Sequence, residues 1–251
     1  MIENSLYKYV LSLGDDALII GQRLSEWAYK APFLEEDMAL SNIALDMFGR
    51  ANLFLEYASK IKLNKFTADD LAFKRNERQF SNLLICEQPN GNFGDTMVRQ
   101  FFFDVFYKFF LEELINSKDS HLAAIAVKSY KETIYHLRHS EKWVIRLGDG
   151  TQKSHKKIQD AIDELWIFTS EFFEDNKEEN QLIEKKIAVD RQSIKIKWNN
   201  KVNEVFKEAK VSIPNTSHKV IGGRDGIHTE HLGHLLSDMQ YLQRSYPDAT
   251  W

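Results

Sequence analysis

The sequence predicts an all-α protein whose long helices form a bundle. Apolar residues recur at helical spacing along the chain, and no alternating strand pattern flanks a turn anywhere in its 251 residues. Only 4 prolines and 11 glycines interrupt the chain, and they gather at Pro32, 88–94, 147–150 and 213–226. Such sparse breaks leave stretches long enough for bundle helices. The length fits one large domain or two small ones, and residues 1–251 are expected to form a single domain. No internal repeat is evident.

Eight helices are predicted between these breaks, at 4–30, 33–61, 68–84, 95–117, 120–147, 155–175, 190–210 and 227–244. Start signals support several of them. Thr67 with Asp70 resembles a capping box, and Asp95, Ser154 and Asp190 are predicted N-caps.

Two of these helices are apolar on every side. Helix 95–117 contains the run "FFFDVFYKFFLEEL". Helix 33–61 carries apolar residues at Met38, Ala39, Leu40, Ile43, Ala44, Leu45, Met47 and Phe48. Helices with one wet face lack this pattern, so both are expected to be enclosed by neighbours. The segment 176–190 is charged instead and is predicted to be a surface connection.

The composition argues against several classes of protein. A formal net charge of −4 gives no sign of a nucleic-acid partner, which favours a basic chain. Cys86 is the only cysteine, so it is expected to be a small buried residue rather than part of a disulfide framework or a Cys-rich metal site. The start of the chain lacks the pattern of a signal peptide, and no stretch approaches the roughly 20 apolar residues of a membrane span. A soluble, cytoplasmic protein without a membrane or nucleic-acid partner is expected.

One stretch of helix 120–147 nearly matches a metal-binding motif. Carboxylate-bridged metal proteins carry Glu-x-x-His on a bundle helix. Here Glu132 lies four residues before His136, and Thr133 occupies the position three before it. On a helical wheel Thr133 falls at the centre of the apolar face, with His136 about 60° and Glu132 about 100° away on one side. The opposite side carries Lys131, Arg138 and Lys142.

The other inward acids also lack imidazole partners. Asp46 is followed by Gly49 three residues later and by Arg50 four residues later. Asp104 lies among the phenylalanines of helix 95–117, and Glu26 is a weaker candidate.

These donors are too few for a di-iron carboxylate bundle, which needs six protein ligands with two imidazoles among them. A metal-free polar network is therefore the favoured interpretation, because buried acids need partners. The expected partners lie four residues along the helix: Asp46 with Arg50, Asp104 with Lys108, and Glu132 with His136.

A second histidine-rich stretch, "GIHTEHLGH", contains His228, His231 and His234. In isolation it is a reasonable transition-metal hypothesis. Against it, residues at successive threes turn about 60° per step, so the third histidine drifts away from the first. The favoured interpretation is a helix start in which Glu230 suits the N-terminal dipole and the histidines bond to neighbours.

Four long stretches carry a family resemblance across nearly the whole chain. They are "LGDDALIIGQRLSEWAYKAPFLEEDMALSNIALDMFGRANLFLEYA" at 13–58, "NERQFSNLLICEQPNGNFGDTMVRQFF" at 76–102, "KETIYHLRHSEKWVIRLGDGT" at 131–151 and "GIHTEHLGHLLSDMQYLQRSYPDATW" at 226–251. Through them the chain resembles the PaaC family, the C subunits of bacterial phenylacetyl-CoA monooxygenases (1,2-epoxidases).

The resemblance implies a ferritin-like helical bundle with additional helices, inside a multicomponent oxygenase that epoxidises the ring of phenylacetyl-CoA. The family's catalytic A subunit holds the di-iron centre with Glu-Ala-Gly-His and Glu-Ser-Phe-His motifs. The present chain has "DMFG" at 46–49 and "TIYH" at 133–136 in the matching places. It is therefore expected to be a non-catalytic structural subunit, without catalytic, cofactor-binding or metal-binding residues of its own. The degenerate ligand positions are Asp46, Gly49, Asp104, Thr133 and His136.

The partners that the resemblance implies are the di-iron A subunit and the other subunits of the complex, including a reductase that carries flavin and an iron–sulfur cluster. Late aromatic residues are candidates for the contact with the A subunit, although a core or scattered surface position is favoured for any single one: Trp198, Phe206, Tyr241, Tyr246 and Trp251. A basic set interleaved with acids is predicted to be a solvated helix face, with an acidic partner or CoA phosphates as the alternative contact: Lys185, Lys186, Arg191, Lys195, Lys197, Lys201, Lys207 and Lys210. The segment "GGRDG" at 222–226 is predicted to be a flexible loop.

Two alternatives stay open from the sequence. In the first, the chain is a metal-binding ferritin-like oxidoreductase in its own right, which uses Asp46, Asp104, Glu132 and His136, or the C-terminal histidines. In the second, it is a homodimeric scaffold with no oxygenase partner.

Overall fold

A computed structural model describes residues 2–62, 65–174, 176–247 and 249. Within these ranges every regular element is a helix and none is a strand, which confirms the all-α prediction and is consistent with a ferritin-like bundle. The α-helices are α1 (Ile2–Ser25), α2 (Leu34–Ile61), α3 (Ala68–Phe73), α4 (Leu84–Glu87), α5 (Phe93–Leu114), α6 (Ser120–Gly148), α7 (Gln152–Leu165), α8 (Lys177–Glu184), α9 (Arg191–Ala209), α10 (Glu230–Met239) and α11 (Tyr241–Ser245). Short 3₁₀ helices occupy Glu77–Gln79, Trp166–Phe173 and Gly223–Asp225.

The chain divides into two compact units. The first, unit 1, consists of Met1–Pro89 with Gly222–Trp251, and unit 2 consists of Asn90–Ile221. The assignment of residues 1–251 to a single domain stays a prediction. No helix of the described chain has the length and apolar character needed to cross a membrane.

Unit 1 is built on an antiparallel pair formed by α1 and α2. The start of α1 meets the end of α2, where Lys62 Nζ donates to Asn4 Oδ1 at 3.0 Å. Further along α1, a Cβ placed on Gly14 would lie 2.9 Å from Cδ2 of Leu55. Glycine at this position therefore allows the two helix backbones to approach closely.

The predicted enclosure of α2 on all sides is wrong. Leu40, Ile43 and Met47 are fully buried, but the side chains of Met38 and Leu45 are 59% and 66% exposed. The helix therefore has a buried face and an exposed face that is also apolar, and local apolar content does not distinguish a core face from an uncovered one.

The predicted helix at 68–84 is also wrong, because α3 and α4 are separated by a largely extended segment. Side chains of α1 hold this segment. The backbone N–H of Ser81 donates to Asp15 Oδ2 at 2.9 Å, and that of Leu83 donates to Asp16 Oδ1 at 2.7 Å. Both carboxylates are buried, so amides that a helix would have paired internally are satisfied by acids far away in sequence.

Unit 2 is centred on α5, whose residues are buried on nearly every side, as predicted. Aromatic rings surround it. The rings of Phe102 and Trp198 lie 5.8 Å apart, and those of Phe106 and Phe172 stack at 4.7 Å. Trp198 and Phe206 are therefore core residues and not exposed contacts, whereas Tyr241 and Tyr246 of unit 1 are exposed and Trp251 lies outside the described residues.

The connection predicted at 176–190 contains α8. The predicted solvated basic face, Lys185 to Lys210, overlaps the end of this connection. Its member Arg191 does not lie on a solvated face. It is buried, and its Nη2 donates to Glu179 Oε2 at 2.9 Å.

Two predicted N-caps are displaced by three residues. Asn92, not Asp95, caps α5 by accepting from the N–H of Gly94, while Asp95 accepts from the N–H of Asn92 and completes a capping box. Thr151, not Ser154, caps α7 by accepting from the N–H of Ser154 at 3.2 Å. In both cases the predicted cap is the third helical residue, which also takes part in N-terminal capping. The confirmed start signals are the Thr67–Asp70 capping box and the Asp190 N-cap.

Candidate functional site

The inner face of α6 carries the near-miss motif as the wheel predicts. Thr133, His136 and Ser140 are buried, and Glu132 lies at the edge with its side chain 19% exposed. The ammonium of Lys128 lies 4.0 Å from Glu132 Oε1. The position that a metal-binding glutamate would occupy on this face holds the short hydroxyl of Thr133.

Asp104 of α5 is fully buried, and its carboxylate is engaged by neutral donors within unit 2. Gln100 Nε2 donates to Oδ1 at 2.7 Å, and Ser140 Oγ donates to Oδ2 at 2.8 Å. The predicted pair with Lys108 is wrong, because the Lys108 ammonium lies 3.2 Å from Glu112. A buried lysine would have to lose its hydration, whereas an amide and a hydroxyl donate to the carboxylate at lower cost.

The α2 positions belong to unit 1. Asp46 and Gly49 are partly exposed, and Arg50 is buried. Gly49 has no side chain that could bind a metal. A Cβ placed on it would meet no atom within 4 Å, so the space around this position is open. The predicted Asp46–Arg50 and Glu132–His136 pairs stay predictions.

The residues at these positions do not fit a di-iron pair. One imidazole and two aspartates replace the two histidines and four glutamates of a carboxylate-bridged centre, and Gly49 and Thr133 offer no carboxylate or imidazole at all. Across the described ranges, no three side chains of His, Cys, Asp or Glu come together in an arrangement that suits a metal ion.

A polar site of unit 1 surrounds the buried carboxylate of Glu87 in α4. Its Oε1 accepts from the N–H of Thr229 at 2.6 Å and from the Thr229 hydroxyl at 2.8 Å. Its Oε2 accepts from Asn82 Nδ2 at 2.9 Å and lies 2.9 Å from His228 Nδ1. Thr229 is the N-cap residue of α10, so Glu87 of α4 accepts a backbone hydrogen bond at the start of that helix.

The surroundings of His228 favour its cationic form. Its Nδ1 faces the Glu87 carboxylate and its Nε2 faces the carbonyl oxygen of Phe80 at 2.9 Å, so both ring nitrogens face acceptors, and the protonated ring donates to both. Burial alone would lower the pKa of His228. The hydrogen bonds to Glu87 and Phe80 and the charges of Glu87 and Glu77 outweigh it and raise the pKa above its ordinary value.

The three C-terminal histidines do not form a shared site. His228 is turned to Glu87, His231 is half-buried and offers its backbone carbonyl to Arg23 at 3.2 Å, and His234 is exposed. The 222–226 segment is held in place by an ion pair, because Arg224 Nη2 lies 2.6 Å from Asp16 Oδ2. Cys86 is fully buried, as predicted.

Sequence reasoning missed Glu87 and the buried aspartates of α1. The available signal was a charged residue inside an apolar run, "LLICEQ" for Glu87 and "SLGDDALII" for Asp15 and Asp16. A charge in such a run is buried only when it is paired, so it indicates an unseen partner. Spacing does not identify that partner, because His228 is 141 residues away from Glu87.

The chain was compared with models of known protein families, and one of them is described as phenylacetic acid catabolic protein. The model of this family matches residues 2–251, and the chain belongs to the family. Over 248 residues the chain is 47% identical to the C subunit of the 1,2-phenylacetyl-CoA epoxidase of Escherichia coli (strain K12), a match that covers 99% of this chain and 100% of that protein. The family resemblance read from the sequence is confirmed.

Proposed function

We propose that this chain is a non-catalytic structural subunit of a multicomponent phenylacetyl-CoA epoxidase and that it supports a di-iron catalytic subunit. In this assignment the chain binds no cofactor of its own. The iron pair belongs to the catalytic subunit, and flavin and iron–sulfur groups belong to a reductase subunit of a cytoplasmic complex.

One observation supports the proposal beyond the similarity to the Escherichia coli protein: on α5 and α6, residues at the expected ligand positions take part in hydrogen bonding and packing inside the chain. Asp104 is bonded to Gln100 and Ser140 inside unit 2, and Thr133 stands where a glutamate is required. An ordinary hydrogen-bonded core suits a subunit that stabilises a partner, because a bundle that keeps metal carboxylates and open coordination positions gives up core packing at its own centre.

The exposed face of α2 is a suitable contact for that partner. Leu34, Met38 and Leu45 fall within about 40° of one another on this helix, and all three are exposed. Ser41 lies on the same face and Gly49 borders it, so small residues separate the large ones and allow a second helix to approach closely. Stable obligate interfaces bury apolar surface of this kind.

Co-expression with the subunit that carries two intact Glu-x-x-His motifs tests the proposal. We expect the two chains to co-elute on size-exclusion chromatography and the iron to depend on that partner. A Leu45→Glu variant should weaken the association about tenfold or more, because it places an unpaired charge in an apolar contact. Ile196→Glu on α9 is the matched control, since Ile196 is 72% exposed and lies outside the proposed contact.

Failure of the wild-type chain to co-elute with a di-iron partner would contradict the structural role. It would leave the homodimeric scaffold as the better assignment if the isolated chain eluted as a dimer. Equal effects of the two substitutions would show instead that the contact lies elsewhere on the surface.

A further inference from the structure

The outer face of α6 is a continuous exposed surface of cations and apolar side chains. Lys131, Arg138 and Lys142 are exposed on it, together with Val127, Ile134 and Tyr135, which are 44%, 42% and 57% exposed. At 3.6 residues per turn these six residues fall within an arc of about 100° and span about 22 Å along the helix axis. We call this surface the α6 outer face.

The three cations of the α6 outer face have no carboxylate partner among the residues that the structure describes. The two acids of α6 lie outside this face and contact other lysines. The carboxylate of Glu132 lies 4.0 Å from the Lys128 ammonium, and Glu141 accepts from Lys201 of α9 at 2.9 Å. The face itself therefore carries positive charge with no acid, although the whole chain has a net charge of −4.

We infer that the α6 outer face is a docking surface for an acidic, amphipathic helix of another protein. The α6 outer face is about as wide as one helix. Its positive charge is complementary to carboxylates, and Ile134 and Val127 between the cations are complementary to apolar side chains among those carboxylates. The inference does not depend on the α2 contact proposed above, because it rests on a different helix in the other unit.

Charge complementarity and apolar content together favour a protein over other polyanions. A nucleic-acid backbone would match Lys131, Arg138 and Lys142 but would leave Val127 and Ile134 against phosphates. An anionic membrane would accept the apolar side chains, but three partly exposed ones on a packed helix offer little area to insert.

A binding experiment with a defined probe tests the inference. The probe is a labelled synthetic helical peptide of about 21 residues, with glutamates and leucines alternating on one face, and the readout is fluorescence anisotropy at low and moderate salt. We expect the wild-type chain to bind it in a salt-dependent manner. Reversing two of the three cations, Lys131→Glu with Arg138→Glu, should weaken binding about tenfold or more, because each reversal turns an attraction into a repulsion.

The matched control is the pair Lys153→Glu with Lys157→Glu on α7, which makes the same change of net charge at two lysines of the same unit. Its affinity should stay close to that of the wild type. An Ile134→Ala variant, which leaves all charges in place, should weaken binding with little change in the salt dependence.

Three results would overturn the inference: no binding by the wild-type chain, equal loss in both charge-reversal pairs, or tighter binding of heparin or anionic vesicles than of the peptide through the same cations. Circular dichroism confirms that each variant is folded. Co-elution with the di-iron subunit is measured separately, so a failed docking surface is distinguished from a failed structural role.

Discussion

The buried pair of His228 and Glu87 makes a quantitative prediction about the pH dependence of stability. Because the pKa of His228 is raised in the folded chain, its stabilising contribution is fully present below the unfolded pKa of about 6.5 and is lost as the pH rises through the folded pKa. Between those two values the native state holds one more proton than the unfolded state. The free energy of unfolding should therefore fall by up to about 1.4 kcal/mol per pH unit in that window.

Replacing His228 with glutamine should remove this slope. At pH 6 the free energy of unfolding of the variant should be about 3 kcal/mol lower than that of the wild type. This is the lower end of the range for breaking a buried ion pair, because Glu87 keeps its hydrogen bonds to Asn82 and Thr229. The difference from the wild type should shrink as the pH increases. Urea unfolding followed by circular dichroism at several pH values measures both quantities.

A matched His234→Gln variant serves as the control, because His234 is exposed on the neighbouring helix α10. It should follow the wild-type pH dependence. Parallel stability curves for the wild type and His228→Gln would refute the argument that His228 is a cation stabilised by Glu87.

Packing and hydrogen bonding give three further predictions, each measured by thermal or urea unfolding. Gly49→Ala should stabilise the chain by about 0.5–1 kcal/mol, because the added methyl group meets open space in a helix interior; a loss of stability would show that the position is covered. Gly148→Ala should destabilise it by about 1–3 kcal/mol, because its Cβ would lie 2.6 Å from the carbonyl oxygen of Ala209, and an unchanged midpoint would refute the close approach. Ser140→Ala should cost about 1–3 kcal/mol by removing a donor from the buried Asp104 carboxylate, whereas a neutral effect would mean that the bond is dispensable.

The helical class and the inner face of α6 were predictable from the sequence because they depend on local periodicity. Thr133 and His136 are buried, and Lys131 is exposed, where a 3.6-residue repeat places them. The apolar residues on every side of α2, in contrast, gave a wrong prediction of enclosure. An uncovered apolar face and a core face have the same local pattern, so exposure of Leu45 depends on which other elements are available to cover it.

The break after α3 and the Glu87 site could not be predicted, because each depends on partners distant in sequence. The segment that contains Ser81 and Leu83 is not helical, and the backbone N–H groups of these two residues donate to aspartates 66 and 67 residues away. Periodicity and capping rules describe neighbours within about four residues, and they assign no energy to such bonds.

Metal content tests the central claim, that this chain has lost the ligands of a di-iron centre, most directly. The chain is expressed alone in iron-supplemented medium, dialysed against a chelator and measured for iron, beside the complex with its Glu-x-x-His partner. We expect stoichiometric iron only in the complex, and no change in that iron when His136 of this chain is replaced by alanine. A pair of irons retained by the isolated chain, and lost on replacing His136, would contradict the account.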